Sequence, residues 1–262
     1  MKVGIIGFGN MGRAIATGLR HNEPETELFV FDKSTTQTKG AAETVGAVVC
    51  TDLSSLCSRS DLHVISVKPQ NTDDLLAELR EFAAKLNVFS IVAGKSISYF
   101  RMGLGTNRVV RCMPNIAATV GKALVGMTIP SDADESLRTN AIRVAKAMGL
   151  PMEVPEELLA AVTGISGSGI AYVFAFVHAL AMGGTKAGLP YPTALLSAIE
   201  VLEGAGALLK DSGEHPISLL SKVASPAGTT IAGIKALEEH AFTAGVMEAV
   251  EQAARRASEL EH

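Results

Sequence analysis

Two clusters of small and polar residues have a spacing that suits chemistry. The first is Gly7-Phe8-Gly9-Asn10-Met11-Gly12, a G-x-G-x-x-G directly after the β-branched run Val3 to Ile6. Gly7 permits a tight turn, Gly9 lets backbone approach a pyrophosphate, and Gly12 lets the next helix pack on the strand. The N–H groups at that helix start favour an anion, so the turn is expected to bind a dinucleotide. Asp32 follows Gly12 by twenty residues, where a carboxylate accepts from the adenosine ribose and repels a 2′-phosphate. Lys33, Ser34, Thr35 and Thr36 pull the other way, offering a cation and three hydroxyls to that phosphate. On the residues alone, NAD and NADP both stay open.

The second cluster is Ala224-Ser225-Pro226-Ala227-Gly228-Thr229-Thr230-Ile231-Ala232-Gly233. It reads as a helix start with Ser225 as cap and Pro226 in the first turn. Backbone N–H groups around Gly228 to Thr230 suit a carboxylate, and a threonine hydroxyl suits a nitrogen or oxygen beside it. An ordinary cap without a ligand accounts for the same residues. Three further segments follow strand ends, where an open α/β sheet keeps its ligand crevice: Ser66 to Gln70 with Lys68, Ala93-Gly94, and Met113-Pro114-Asn115.

The elements that position these clusters follow from periodicity. Strands are expected at Val3–Ile6, Leu28–Phe31, His63–Val67, Val88–Val92 and Val109–Cys112, alternating with helical stretches, the pattern of a parallel sheet with crossover helices. Met11, Ala14, Ile15, Gly18 and Leu19 form one apolar helical face between the first two. Leu124–Ile129 and Met152–Val154 add two strands around a helix opened by Ser131 with Asp134 three residues on. After Pro155 the texture becomes alanine- and leucine-rich, and helices are expected over 156–184, 192–210, 216–222, 230–240 and 243–259. The expected organisation is a Rossmann-type α/β domain over 1–154 and an all-helical domain over 155–262. So little aromatic bulk makes a thin helical core, which a second copy would complete as a homodimer.

Composition excludes several classes. The 262 residues carry a net charge of −4, leaving no surplus for nucleic acid or an acidic membrane surface. Cys50, Cys57 and Cys112 lack metal-ligand spacing and suit a reducing cytoplasm, so no metal site is expected. Gly7, Gly9, Gly12 and Arg13 break the N-terminal apolar run too early for a secretory leader. The uncharged stretch Leu158 to Thr185 has the length of a membrane span. Thr163, Ser166, Ser168 and its glycines favour a helix buried in protein, at a subunit interface.

From end to end the chain resembles the pyrroline-5-carboxylate reductase family. The resemblance rests on IGFGNMG at 6–12, VKPQ at 67–70, RCMPN at 111–115, GISGSG at 164–169 with Ala171-Tyr172, Gly188-Leu189-Pro190, Glu214-His215-Pro216, and SPAGTT at 225–230 before Leu237-Glu238. It implies a nicotinamide-binding Rossmann domain, a helical dimerisation domain, dimers that in some members form larger rings, and the last step of proline biosynthesis. It also implies hydride transfer to the C=N carbon of 1-pyrroline-5-carboxylate, with NADP(H) as cofactor and NAD(H) left open. By this resemblance Ser225, Gly228 and Thr229 cradle the substrate carboxylate, and Thr230 contacts the ring nitrogen, with positioning as its first role and proton donation as its second. Cofactor contacts are expected at Ile6, Gly7, Phe8, Gly9, Asn10, Met11, Gly12, Asp32, Lys33, Ser34, Val67, Lys68, Pro69, Ala93, Gly94 and Asn115.

Several positions depart from the family pattern. Ile116-Ala117 stands where MPNTPA has Thr-Pro, Ile170 replaces the proline of GSGPAY, and Lys95-Ser96 replaces the usual residues of AGVT. Ser221-Lys222 stands where an acidic and a neutral residue are common, and Ala227 replaces the first glycine of SPGG. A β-hydroxyacid dehydrogenase shares the domain order but needs a lysine on the first interdomain helix, and Ala171 to Met182 has none. His178 on that helix reads as a core residue with one hydrogen bond. A nucleotide sensor without turnover is the remaining rival.

Overall fold

A computed structural model describes residues 1–261; the side chains of residues 35–37 and 41 lie outside the described set, and with them the hydroxyls of Thr35 and Thr36. In chain order the elements are β1 (Lys2–Ile6), α1 (Asn10–Asn22), β2 (Glu27–Phe31), α2 (Thr35–Thr44), β3 (Val48–Val49), α3 (Leu53–Arg59), β4 (Leu62–Ile65), α4 (Thr72–Leu79), β5 (Val88–Ser90), α5 (Ile97–Leu104), β6 (Val109–Met113), β7 (Ala123–Thr128), α6 (Glu135–Met148), β8 (Gly149–Glu153) and α7 (Leu159–Val162). The later part contains α8 (Gly169–Lys186), α9 (Tyr191–Ser212), α10 (Pro216–Val223), α11 (Thr229–Glu239) and α12 (Phe242–Glu259). Contacts divide the chain into a first unit, Met1–Ser168 with Glu251–His262, and a second, Gly169–Val250.

The first unit is built on an eight-stranded sheet in the order β3-β2-β1-β4-β5-β6-β7-β8. β-Branched residues alternate across it, so each strand feeds two cores. Val3, Ile5, Val64 and Val110 pack with Ile15 and Leu19 of α1 and Val144 of α6 on one face. Ile6, Ile65, Val88 and Val109 pack with Leu56 of α3, Leu76 of α4 and Phe100 and Leu104 of α5 on the other. All neighbours are parallel except β6 and β7, which run antiparallel with Cys112 opposite Met127. This corrects the all-parallel expectation: the connection 114–122 holds only a 3₁₀ turn over Ile116–Val120, too little chain for the crossover that parallel strands need.

Two local expectations also change. Asp134, not Ser131, caps α6, its carboxylate accepting from the Leu137 N–H at 2.8 Å. The stretch expected as one helix over 156–184 is interrupted by a π-helical turn at Thr163–Gly167, where the Ser168 N–H reaches back to the Thr163 carbonyl at 2.9 Å. Glycines at 164 and 167 supply little side-chain packing to hold an α-helical register there.

Within the second unit α8 packs on α9 through Val177, Ala181, Ala194 and Ala198. This core is thin, and large apolar residues such as Phe174, Leu196 and Val201 are exposed, each more than 60% accessible in the single chain. The stretches Glu156–Lys186 and Tyr191–Ser212 are long and apolar enough to cross a membrane by length and composition. His178 is exposed rather than a core residue, its ring 6.4 Å from that of Tyr191.

Candidate functional site

The glycine turn is held by its own neighbourhood. Gly7 has φ +92°, and a Cβ there would lie 2.7 Å from the Ser66 carbonyl oxygen, so the position requires glycine. A Cβ on Gly12 would collide with the Gly7 carbonyl, which explains the close approach of α1 to the strand end. Gly9 differs from both: a Cβ there would meet nothing within 4 Å, so its space faces outward from the N-terminus of α1. No side chain caps that helix start, leaving its first N–H groups for an anion.

Asp32 anchors the turn. Its carboxylate accepts from the Phe8 N–H at 2.7 Å and from the Ser34 N–H at 2.9 Å, and the Gly7 N–H donates to the Phe31 carbonyl at 2.9 Å. Each oxygen still has lone-pair capacity for a ribose hydroxyl. Arg13 Nε donates to the Phe8 carbonyl at 3.0 Å, a contribution to the turn that the motif does not reveal. Lys33 extends into solvent with Glu78 3.9 Å away, a loose exposed pair of little energetic weight.

A cavity of about 280 Å³ opens at the C-terminal ends of β1, β2 and β4. It brings together Ile6, Gly7, Gly9, Asp32, Lys33, Val67 and Lys68 from the expected set, and adds Phe31, Ser66, Asn71 and Leu75. Asn71 directly follows VKPQ and Leu75 lies about one helical turn further on, so the same strand-end signal extended by a turn would have reached them. Phe8, Asn10, Met11, Gly12, Ser34, Pro69, Ala93, Gly94 and Asn115 do not line this cavity. The Ser66 hydroxyl is buried without a partner in the cavity wall, the mark of a polar group awaiting a ligand or water. That hydroxyl, the open space over Gly9, the uncapped helix and the two lysines together fit a phosphate-bearing dinucleotide.

The other strand ends are committed differently. The Asn115 side chain donates to the Ser166 carbonyl at 3.1 Å and accepts from the Ala117 N–H at 3.1 Å, tying the 113–120 turn to the π-helical turn. Gly94 has φ +70°, and a Cβ on it would strike the Leu260 carbonyl, so close approach by the 260–261 segment gives this glycine a reason of its own. Buried Arg111 pairs with Glu156 at 3.0 Å and with Glu261, and Glu156 also accepts from the Ile97 N–H at 2.8 Å.

In the second unit, Ala224 to Thr230 forms a turn closed by the Gly228 N–H donating to the Ser225 carbonyl at 3.1 Å. The cap of α11 is Gly228, not Ser225, and no side chain caps the helix. Ser225 therefore lies a turn ahead of the helix, its hydroxyl close enough to Gly228 that a Cβ there would clash. Thr229 and Thr230 occupy the first two helical positions with free N–H groups. Ala227 has φ +56°, a left-handed conformation that explains why glycine suits this position. Lys222 pairs with Glu214 at 2.6 Å, so the unusual cation at 222 is met by a carboxylate at the opposite end of α10.

The thiols are not set up as nucleophiles. All three cysteines are free and buried; burial pushes the Cys57 thiol up to about 11 and those of Cys50 and Cys112 upward, keeping them protonated. Among the described residues no group of three or more His, Cys, Asp or Glu side chains could hold a metal ion.

Comparison with known proteins follows the same division. Residues 156–260 match the family model for pyrroline-5-carboxylate reductase dimerisation, and residues 2–94 match a model described as NADP oxidoreductase, coenzyme F420-dependent. A pyrroline-5-carboxylate reductase from Aquifex aeolicus is 35% identical over 99% of this chain and 97% of its own. The structure of a pyrroline-5-carboxylate reductase from Coxiella burnetii superposes with a TM-score of 0.91 at 28% identity, covering 99% of this chain and 98% of that one. The Plasmodium falciparum pyrroline carboxylate reductase, solved with NADP bound, gives 0.90 at 25% identity, covering 100% and 98%.

Proposed function

The chain belongs to the pyrroline-5-carboxylate reductase family, and from that premise we infer that it reduces 1-pyrroline-5-carboxylate to L-proline with NADPH, the last step of proline biosynthesis. The observation that carries this reading is similarity over the full length to relatives of that name. It is an NAD(P)H-dependent oxidoreductase acting on a cyclic imine.

The bound cofactor supplies the hydride that the C=N carbon accepts. The chain's own work is to bind and orient. The N-terminus of α1 and Gly9 hold the pyrophosphate, Asp32 meets the ribose, and Lys33 and Ser34 meet the 2′-phosphate. Lys68 and Ser66 contribute from the strand end after β4. For the substrate, the Thr229 and Thr230 N–H groups at the start of α11, with Ser225 and Gly228, receive the carboxylate. The Thr230 hydroxyl then lies at the ring nitrogen.

A protonated imine is already electrophilic, so holding its carbon in line dominates the catalytic task. Reduction adds one hydride to carbon and leaves the nitrogen as a neutral secondary amine that retains the iminium proton; the ammonium form of proline then takes one further proton from solvent. An ordinary hydroxyl is a poor acid, which makes Thr230 a positioning group that accepts from the iminium N–H. Thr230→Ala tests this: kcat/KM for the imine falls on the order of 10- to 100-fold while NADPH binding is kept. Unchanged turnover in that variant removes the role of Thr230 and leaves the reaction standing.

The functional form is a homodimer in the cytoplasm, free of nucleic acid and membrane. An apolar cleft of about 860 Å³ between α8 and α12, lined by Tyr172, Phe176, Leu180, Leu237, Phe242 and Val246, supports a second copy as its occupant. The match of 156–260 to the dimerisation model supports the same partner. Light scattering coupled to size exclusion reads the assembly, and also separates a dimer from the larger ring of dimers.

A further inference from the structure

The segment after the last helix lies on the turn that follows β5. The Leu260 carbonyl packs against Gly94 so closely that no side chain fits there, and the Glu261 carboxylate pairs with Arg111 inside the first unit. Arg111 is 2% exposed and projects from β6, the strand beside β5. Its second carboxylate, Glu156, accepts from the Ile97 N–H, the first residue of α5. One buried guanidinium thus fixes both flanks of residues 93–97: Leu260–Glu261 over the turn and Glu156 under the start of α5.

We infer that Glu261 is a positioning residue for the Ala93–Gly94 turn, holding it for the nicotinamide half of the cofactor. This rests on the reading of that turn as a cofactor contact. The turn sits two strands from β1, away from the adenosine end marked by Asp32 and Lys33, so its order matters to one half of the dinucleotide only. A left-handed glycine followed by Lys95 and Ser96 has little packing of its own: Lys95 rests over the Tyr99 ring at 4.2 Å, and Ser96 caps α5 at 3.1 Å from the Tyr99 N–H. The external clamp supplies what the loop lacks.

Glu261→Ala is the discriminating change, because Arg111 keeps Glu156 and no buried charge is left unpaired. Binding is measured by titration of the full-length protein with NADPH and, separately, with adenosine 2′,5′-bisphosphate, a probe that lacks the nicotinamide. The expected result is an NADPH Kd raised about 3- to 10-fold, a probe Kd within about twofold of wild type, and partial recovery in Glu261→Gln, which keeps an acceptor for Arg111. An NADPH Kd unchanged within about twofold overturns the proposal, as does equal weakening of both ligands, which marks a structural role alone. A wild-type protein that binds the probe but gains nothing from the nicotinamide half overturns it too. Failure of the wild type to bind either ligand brings down the underlying cofactor reading and the proposal with it.

Discussion

Replacing Ala227 with glycine should stabilise the protein, against the usual direction of such a change. Ala227 has φ +56° and is exposed, so its methyl group contributes backbone strain and almost no packing. A non-glycine residue in the left-handed region costs about 1–2 kcal/mol, and glycine removes that cost. Against it stands the added freedom of glycine in the unfolded chain, about 0.4–1 kcal/mol. The difference is a gain of roughly 0.5–1 kcal/mol, or a rise of about 1–4 °C in Tm for a chain of this size. Calorimetry at matched protomer concentration reads it, since a dimer's Tm depends on concentration. Ala227→Val sharpens the test, because a branched Cβ is worse placed at positive φ and should lower Tm. A fall in Tm for Ala227→Gly, or a rise for Ala227→Val, would refute the strain argument and show that the methyl group has packing we have not credited.

Other outcomes follow from the same geometry. Gly9→Ala should leave Tm within about 1 °C of wild type, since its Cβ enters open space, yet weaken NADPH binding at least about tenfold; Gly7→Ala, strained and 2.7 Å from the Ser66 carbonyl, should lose about 2–3 kcal/mol of stability as well. Lys33→Ala should raise the KM for NADPH by up to about tenfold and leave that for NADH unchanged, and an equal effect on both removes Lys33 from the 2′-phosphate. His63 is fully buried between the Asn87 backbone and the Cys57 carbonyl, and burial holds its imidazole below the ordinary value of 6.5. Its neutral form therefore contributes stability that is complete above pH 6.5 and declines as pH falls toward the folded-state value. Urea unfolding between pH 7.5 and 5 should show a smaller loss in His63→Gln than in wild type, and identical losses would exclude His63 as the cause.

Much of the first unit was legible because its signals are local. The glycine turn, the β-branched run Val3–Ile6 and the apolar face of α1 are each read from a few neighbouring residues, and the structure places the run as a buried strand and α1 with its apolar face inward. What escaped depends on distant partners. Val48–Val49 is a strand only because Phe29 and Val30 lie beside it, and two residues carry no period of their own. The reversal of β7 was hidden because residues 114–122 look like any loop until their length is compared with a crossover. Ser225 looked like a cap by residue type, yet left-handed Ala227 delays the helix to Thr229. Gly94 carried a turn signal, but its contact with Leu260 joins positions more than 160 residues apart, beyond the reach of any local pattern.

Hydride delivery from NADPH to the imine carbon can be traced by isotope. NADPH deuterated at the transferred position, supplied with 1-pyrroline-5-carboxylate and the purified protein, tests it by NMR or mass spectrometry of the product. The expected product is L-proline carrying one deuterium at C5, formed in step with loss of reduced-cofactor absorbance. Cofactor binding without proline, or proline free of deuterium, would contradict it.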